Sequence, residues 1–192
     1  TERQIELAER CGPSEVLALG HQERFLDFVE MGEGGRLEHA YFAFERVVHR
    51  VRQPFFQWTL GLFHGLRALL AGPIDKAERL AHEALAIGQS VGTPNALGAF
   101  SAQIFAIRRE QGRIAELEAP LRMLLSEQPD LPIHRTGLAA IAAEGGRREE
   151  AADAIVRLFE RGGIDEFPRD EHFLTSMTLL APACEIAGSP RY

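Results

Sequence analysis

Gly88-Gln89-Ser90-Val91-Gly92 has the G-x-S-x-G spacing with which serine hydrolases expose a nucleophile at a strained turn between a strand and a helix. That chemistry needs a strand before the serine and a helix after it. Here Ala77, Ala81 and Ala84 recur upstream at helical spacing and Thr93-Pro94 follows, so Ser90 is expected at the end of a helix, without a nucleophilic role. Glu45 and His49 stand at i, i+4, and Asp170-Glu171-His172 groups three potential metal ligands. A zinc site would want a further ligand in an H-E-x-x-H or similar frame, and none is present. Gly32, Gly34 and Gly35 imitate the start of a phosphate loop, but no strand pattern precedes them and Leu37 fills the last glycine position, which reads as a turn. Glu38, Glu45, Asp75 and Glu78 have no spacing that singles out an acid and a base. The expectation is a protein that is not an enzyme, with no catalytic residue, metal or cofactor.

Composition points the same way. The chain has 192 residues, is 45% hydrophobic and carries a formal charge of -7, which gives ample core material and no cationic face for phosphates. Neither nucleic acid nor an anionic membrane is an expected partner of this region. The adjacent basic pairs Arg108-Arg109 and Arg147-Arg148 flank turn glycines, where cations suit helix ends or solvated faces. Lys76 is the single lysine among 21 basic residues. Cys11 and Cys184 form no CxxC pattern and lie far apart in sequence, so a reducing, cytoplasmic setting is expected. No run of 18 apolar residues occurs, because Gly61, His64, Gly65 and Arg67 interrupt the stretch from Leu60 to Ala71. The chain opens on Thr1, and a longer parent protein is expected.

The elements that would position any site are helices throughout. Period-two alternation is nowhere sustained. Glycine, proline and small polar residues punctuate helices over 2–11, 14–31, 37–52, 55–71, 73–90, 95–111, 114–127, 133–144, 148–160 and 170–187, with a polar loop over 162–169. Pro120 falls inside one of these patterns and predicts a kink. The segment from Phe55 to Ala71, with Trp58, is apolar nearly all round and should be covered on several sides.

The helices repeat. The glycines Gly35, Gly72, Gly112 and Gly146 are 37, 40 and 34 residues apart. At fixed offsets after them come Ala40, Phe44 and Val47; Ala77, Ala81 and Ala84; Leu117, Leu121 and Leu124; Ala151, Ile155 and Leu158, which predict one buried stripe per pair. Seven residues before Gly72, Gly146 and Gly188 stand Gly65, Ala139 and Ala181, small residues for a close helix crossing. These positions resemble the tetratricopeptide repeat, with its small residue in the first helix, turn glycine and Ala-aromatic-Ala stripe. The longer periods, with Gln53-Pro54 through Trp58, Ala77-Glu78-Arg79-Leu80-Ala81 and Phe167-Pro168-Arg169-Asp170-Glu171, are similar to the helical region of actinobacterial multidomain regulators. In those, the array follows a signalling ATPase joined to a LuxR-type DNA-binding domain or to an adenylate/guanylate cyclase domain. The resemblance spans nearly the whole chain and rests mostly on packing residues.

The expected architecture is therefore all-α: a right-handed α-solenoid of antiparallel helix pairs, a TPR-like superhelix of about ten helices in a single domain over 1–192. In such arrays the first helix of each pair lines an inner groove. Counting back from the turn glycines places Gln22 and Phe25, Thr59, Leu62 and Leu66, Ala99, Ala102 and Arg109, and Thr136 there. Their apolar, small character points to a protein partner, either a neighbouring domain of the parent chain or a helical peptide, or to a small apolar effector. Close packing within the array is the competing use of the same residues. The functional expectation is a non-catalytic interaction or sensory module of a cytoplasmic signalling or transcriptional regulator, with a free-standing adaptor binding one protein as the first alternative and an all-α enzyme as the second.

Overall fold

The computed structural model describes residues 1–12, 14–160, 164, 167–170 and 172–188. Among them there are helices and no strands: α1 (Glu2–Cys11), α2 (Ser14–Glu30), α3 (Gly34–Val51), α4 (Pro54–Ala71), α5 (Ile74–Ser90), α6 (Ala96–Glu110), α7 (Glu118–Glu127), α8 (Pro132–Glu144), α9 (Arg148–Phe159) and α10 (Phe173–Ala187). Helices adjacent in sequence pack in pairs, which makes the fold all-α and solenoid-like. The chain divides into two compact units, Thr1–Glu110 and Gln111–Tyr192.

Local chemistry explains the helix ends. Gly32, Gly72, Gly112, Gly146 and Gly188 adopt positive φ, so left-handed glycines follow α2, α4, α6, α8 and α10. The first repeat marker is thus Gly32, not Gly35. Gly34 and Gly35 open α3, where the N–H groups of Arg36 and Leu37 donate to the Glu33 carbonyl. Pro54 and Pro132 stand in the first turns of α4 and α8, where a missing N–H costs nothing.

Pro120 acts in the same way and produces a restart in place of the predicted kink. A 3-10 turn over Ile114–Leu117 precedes it, and α7 begins at Glu118, so the proline falls in the first turn of a new helix. The restart breaks the third stripe: Leu117, Leu121 and Leu124 are only half-buried, and Ile114 takes a buried position instead.

In the first unit, α2, α3 and α4 share an aromatic core. Phe25 stacks on Phe63 with ring centroids 4.0 Å apart, and Phe44 lies 5.2 Å from Phe63 and 6.4 Å from Phe56. Burying each such ring contributes roughly 1.5–3 kcal/mol. The next contact is built on small residues. Ala77, Ala81 and Ala84 are fully buried, and a Cβ at Gly61 would lie 3.3 Å from Ala84 Cβ, so α4 and α5 approach closely. Gly88 admits Trp58 of α4 and Ala96 of α6 to the same spot. At the other end, Gly20 receives Ile5 of α1.

The second unit is finer-grained. Ala139, Ala142 and Ala143 of α8 meet Ala151 and Ile155 of α9 and Leu180 and Ala183 of α10, and Phe167 lies against Phe159 and Phe173. Ala139 has no exposure, as a close crossing requires, whereas Ala181 is exposed. Pro182 sits inside α10.

Candidate functional site

The groove residues separate by exposure. Phe25, Thr59 and Thr136 are buried and form part of the packing. Thr59 Oγ1 donates to Phe55 O at 3.1 Å and Thr136 Oγ1 to Pro132 O at 3.0 Å, and that bond four residues back lets a hydroxyl be buried in a helix. Gln22, Leu62, Leu66 and Ala99 are half-buried, and Ala102 and Arg109 are exposed. Leu62 and Leu66 also pack against the aromatic core of the first unit.

The sequence motifs resolve into helix ends and turns. Ser90 Oγ donates to Ile87 O at 2.8 Å at the exposed end of α5. Gly88 of the same motif is a packing residue for Trp58. His49 is exposed, Glu171 lies outside the described residues, and Asp170 Oδ1 accepts the His172 N–H at 2.9 Å in a local turn. Among the described residues no group of three or more His, Cys, Asp and Glu could hold a metal ion.

A constellation that spacing alone did not single out lies between α3 and α4. Glu38, Tyr41 and Glu45 follow one another at spacings of three and four on α3; His64, Arg67 and Ala71 do so on α4. The Arg67 guanidinium takes both carboxylate oxygens of Glu38, Nε to Oε1 at 2.9 Å and Nη2 to Oε2. Its centre lies 3.7 Å above the Tyr41 ring centroid and 5.4 Å from that of the exposed Phe42. Tyr41 Oη donates to Glu45 Oε1 at 2.7 Å, and His64 Nε2 comes within 3.6 Å of the same oxygen. The signal in the sequence was the pair of polar residues, His64 and Arg67, inside the otherwise apolar α4.

These contacts fix protonation. The hydrogen bonds from Arg67 hold the Glu38 carboxyl below its usual range, and Glu38 in turn raises Arg67. Burial, helped by the acceptor Glu45, pushes the Tyr41 phenol well above the usual range. Near neutrality Glu38 is therefore an anion, Arg67 a cation and Tyr41 a neutral donor. None of the three is poised to exchange a proton. The arrangement is suited to holding a ligand.

Beside this network is a cavity of about 400 Å³. α3 supplies Glu38 and Tyr41, α4 supplies His64, Arg67, Ala68 and Ala71, and the next turn and α5 supply Pro73, Lys76 and Leu80. In the second unit, a cavity of about 580 Å³ and a neighbour of about 270 Å³ share Arg135 and Arg157. The larger sets these two arginines against Asp130 and Glu160, and the smaller sets them with Arg122 against Glu150 and Asp153. Nearby, Arg122 and Arg147 both bind Glu118 and Glu150 in an exposed lattice that ties α7 to α9.

No protein-family model, curated protein or solved structure matches the chain. The first unit holds, between α3, α4 and α5, a small cavity with one aromatic-cationic wall. None of the helices described is long and apolar enough to cross a membrane.

Proposed function

We propose that this chain is a non-catalytic binding module, the sensory or protein-interaction arm of a cytoplasmic signalling or transcriptional regulator. The observation that carries the reading is the cavity between α3, α4 and α5, in whose wall Glu38, Arg67 and Tyr41 are held in fixed charge states by burial and hydrogen bonds. Glu38, Arg67 and Tyr41 in such a state bind and orient, and none of the three is ready to transfer a proton. The helix-pair architecture supports the same reading, since paired helices present ligand surfaces between neighbouring elements. A helical partner would meet Gln22, Leu62, Leu66, Ala99, Ala102 and Arg109, which keep accessible surface, and not Phe25, Thr59 or Thr136. The regulatory part rests on the resemblance to multidomain regulators.

The test is the size and domain content of the native gene product. A protein much larger than 21.3 kDa, with a G-x-x-x-x-G-K-[ST] segment upstream of Thr1, is expected. A native product near that mass overturns the regulator reading and puts the free-standing adaptor in its place.

A further inference from the structure

We propose that the cavity between α3, α4 and α5 binds a small monocarboxylate whose apolar body lies against Tyr41 and Leu80. This deepens the sensory reading above by naming a ligand class, and rests on that reading only for its biological purpose.

Charge is the first argument. Glu38 neutralises Arg67, which leaves Lys76 as the surplus cation of the wall; among the described residues its ammonium has no ion pair or hydrogen bond. The C-terminal turn of α4 and the N-terminal turn of α5 flank the cavity with opposite partial charges, so the side chains decide its sign. The lining thus carries one more cation than anion in a chain whose net charge is -7. The bonds to Glu38 use Nε and Nη2 of Arg67 and leave its Nη1 edge for a second acceptor.

Preorganisation is the second. Arg67 is held by Glu38 on one side and by the Tyr41 ring on the other, and Tyr41 is itself pinned by Glu45. A carboxylate arriving there meets a guanidinium that has already lost its rotational freedom. Size and lining supply the third argument. A volume of about 400 Å³ lies at the low end of small-molecule sites, and Ala68, Ala71 and Leu80 offer aliphatic surface beside the aromatic ring. A dianion such as phosphate would place its second charge against Glu38 with no further cation to offset it, so the wall favours single negative charge.

The single lysine provides the assay. Reductive ¹³C-methylation of the whole chain labels Lys76 and the N-terminal amine only, and keeps the Lys76 charge. Benzoate and octanoate are titrated against benzamide, octanamide and inorganic phosphate. The expected result is a saturable shift of the Lys76 signal with at least one acid, little movement with the amides or phosphate, and a still N-terminal signal. Calorimetry on Lys76→Gln should show binding of that acid weakened about fivefold, the effect of losing one partly exposed charge contact. Because Lys76 is exposed and unpaired, this variant should melt with the parent chain. The assignment is overturned by the absence of any saturable shift up to millimolar acid, by an amide or phosphate acting as strongly as the acid, or by unchanged affinity in Lys76→Gln. These outcomes are independent of the native product's size. Acid binding in a product near 21.3 kDa would retire the regulator and keep the cavity, and the converse pair of results would do the reverse.

Discussion

Gly88→Ala sets two large effects against each other, and the structure decides the sign. Alanine in place of a helical glycine normally stabilises by up to about 1 kcal/mol. At Gly88, however, the new Cβ would lie 2.6 Å from Ala96 Cβ, 2.7 Å from Trp58 Nε1 and 2.8 Å from Trp58 Cδ1. Carbon atoms pack at about 3.5–4.0 Å, so the start of α6 and the indole must both retreat by about 1 Å. Neither can do so freely. Trp58 is buried with Phe55 against it, and Ala96 is buried in the first turn of α6. Overpacking of this kind costs about 1–3 kcal/mol, and with two atoms of a buried indole and a buried methyl all inside 3 Å the upper half of that range applies, which leaves a net loss of about 1–2 kcal/mol. For a chain of this size that is a fall in Tm of roughly 3–6 °C. Gly98→Ala is the control, because a Cβ there meets nothing within 4 Å, and it should be neutral or slightly stabilising. The single tryptophan sits at the perturbed contact, so urea and thermal unfolding followed by its fluorescence report the site directly. A Gly88→Ala variant as stable as the parent would refute the close α4–α5–α6 contact.

Further substitutions test the remaining contacts. Ala77→Phe, at a position with no exposed surface, should cost a few kcal/mol by overpacking the α4–α5 corner, and an unchanged Tm would disprove that corner. A double-mutant cycle on Arg67→Met and Glu38→Gln should return a coupling of about 1 kcal/mol, kept small because the Glu38 side chain is 46% exposed. Zero coupling would mean that the ion pair does not order the wall. His21 is buried, and desolvation, helped by Arg24, lowers its pKa from 6.5 while Glu9 opposes the shift. The unfolded chain therefore takes up this proton first, so His21 costs stability as pH falls below about 6.5 and has no such effect above it. His134, also shifted down by burial, adds to the same trend. The urea midpoint of His21→Gln should fall less between pH 7 and pH 5 than that of the parent; parallel curves would rule the reasoning out.

The fold was legible wherever its determinants were local. Glycines after helices, prolines in first turns and alanines at spacings of four and three all act through backbone sterics within a few residues, and α4 and α5 follow from them directly. Misreadings arose where two local solutions competed. Gly32 and Gly35 could each close a turn, and only the packing of Leu37 and Ala40 decides that Gly34 and Gly35 belong to α3. Pro120 could kink a helix or begin one, and the unfavourable 3-10 turn before it is tolerated because Ile114 gains burial.

The site was harder to see. Counting along a repeat assigns a helix face but not how deeply that face is buried, so Phe25 and Thr136 entered the groove although they are core. The wall of Glu38, Tyr41 and Arg67 depends on residues 29 positions apart meeting across two helices. No single-helix pattern encodes that meeting, although the polar His64 and Arg67 inside the apolar α4 marked one half of it.

α7 has no buried side chain and follows a 3-10 turn in place of a continuous helix. Exposed ion pairs such as Arg122 with Glu118 and Glu150 contribute little once salt screens them. Its amide hydrogens should accordingly exchange with solvent faster than those of α4 or α8, by local opening that leaves the rest intact. Limited proteolysis at moderate ionic strength should cut first within 114–127, and the helices on either side should survive as resistant fragments.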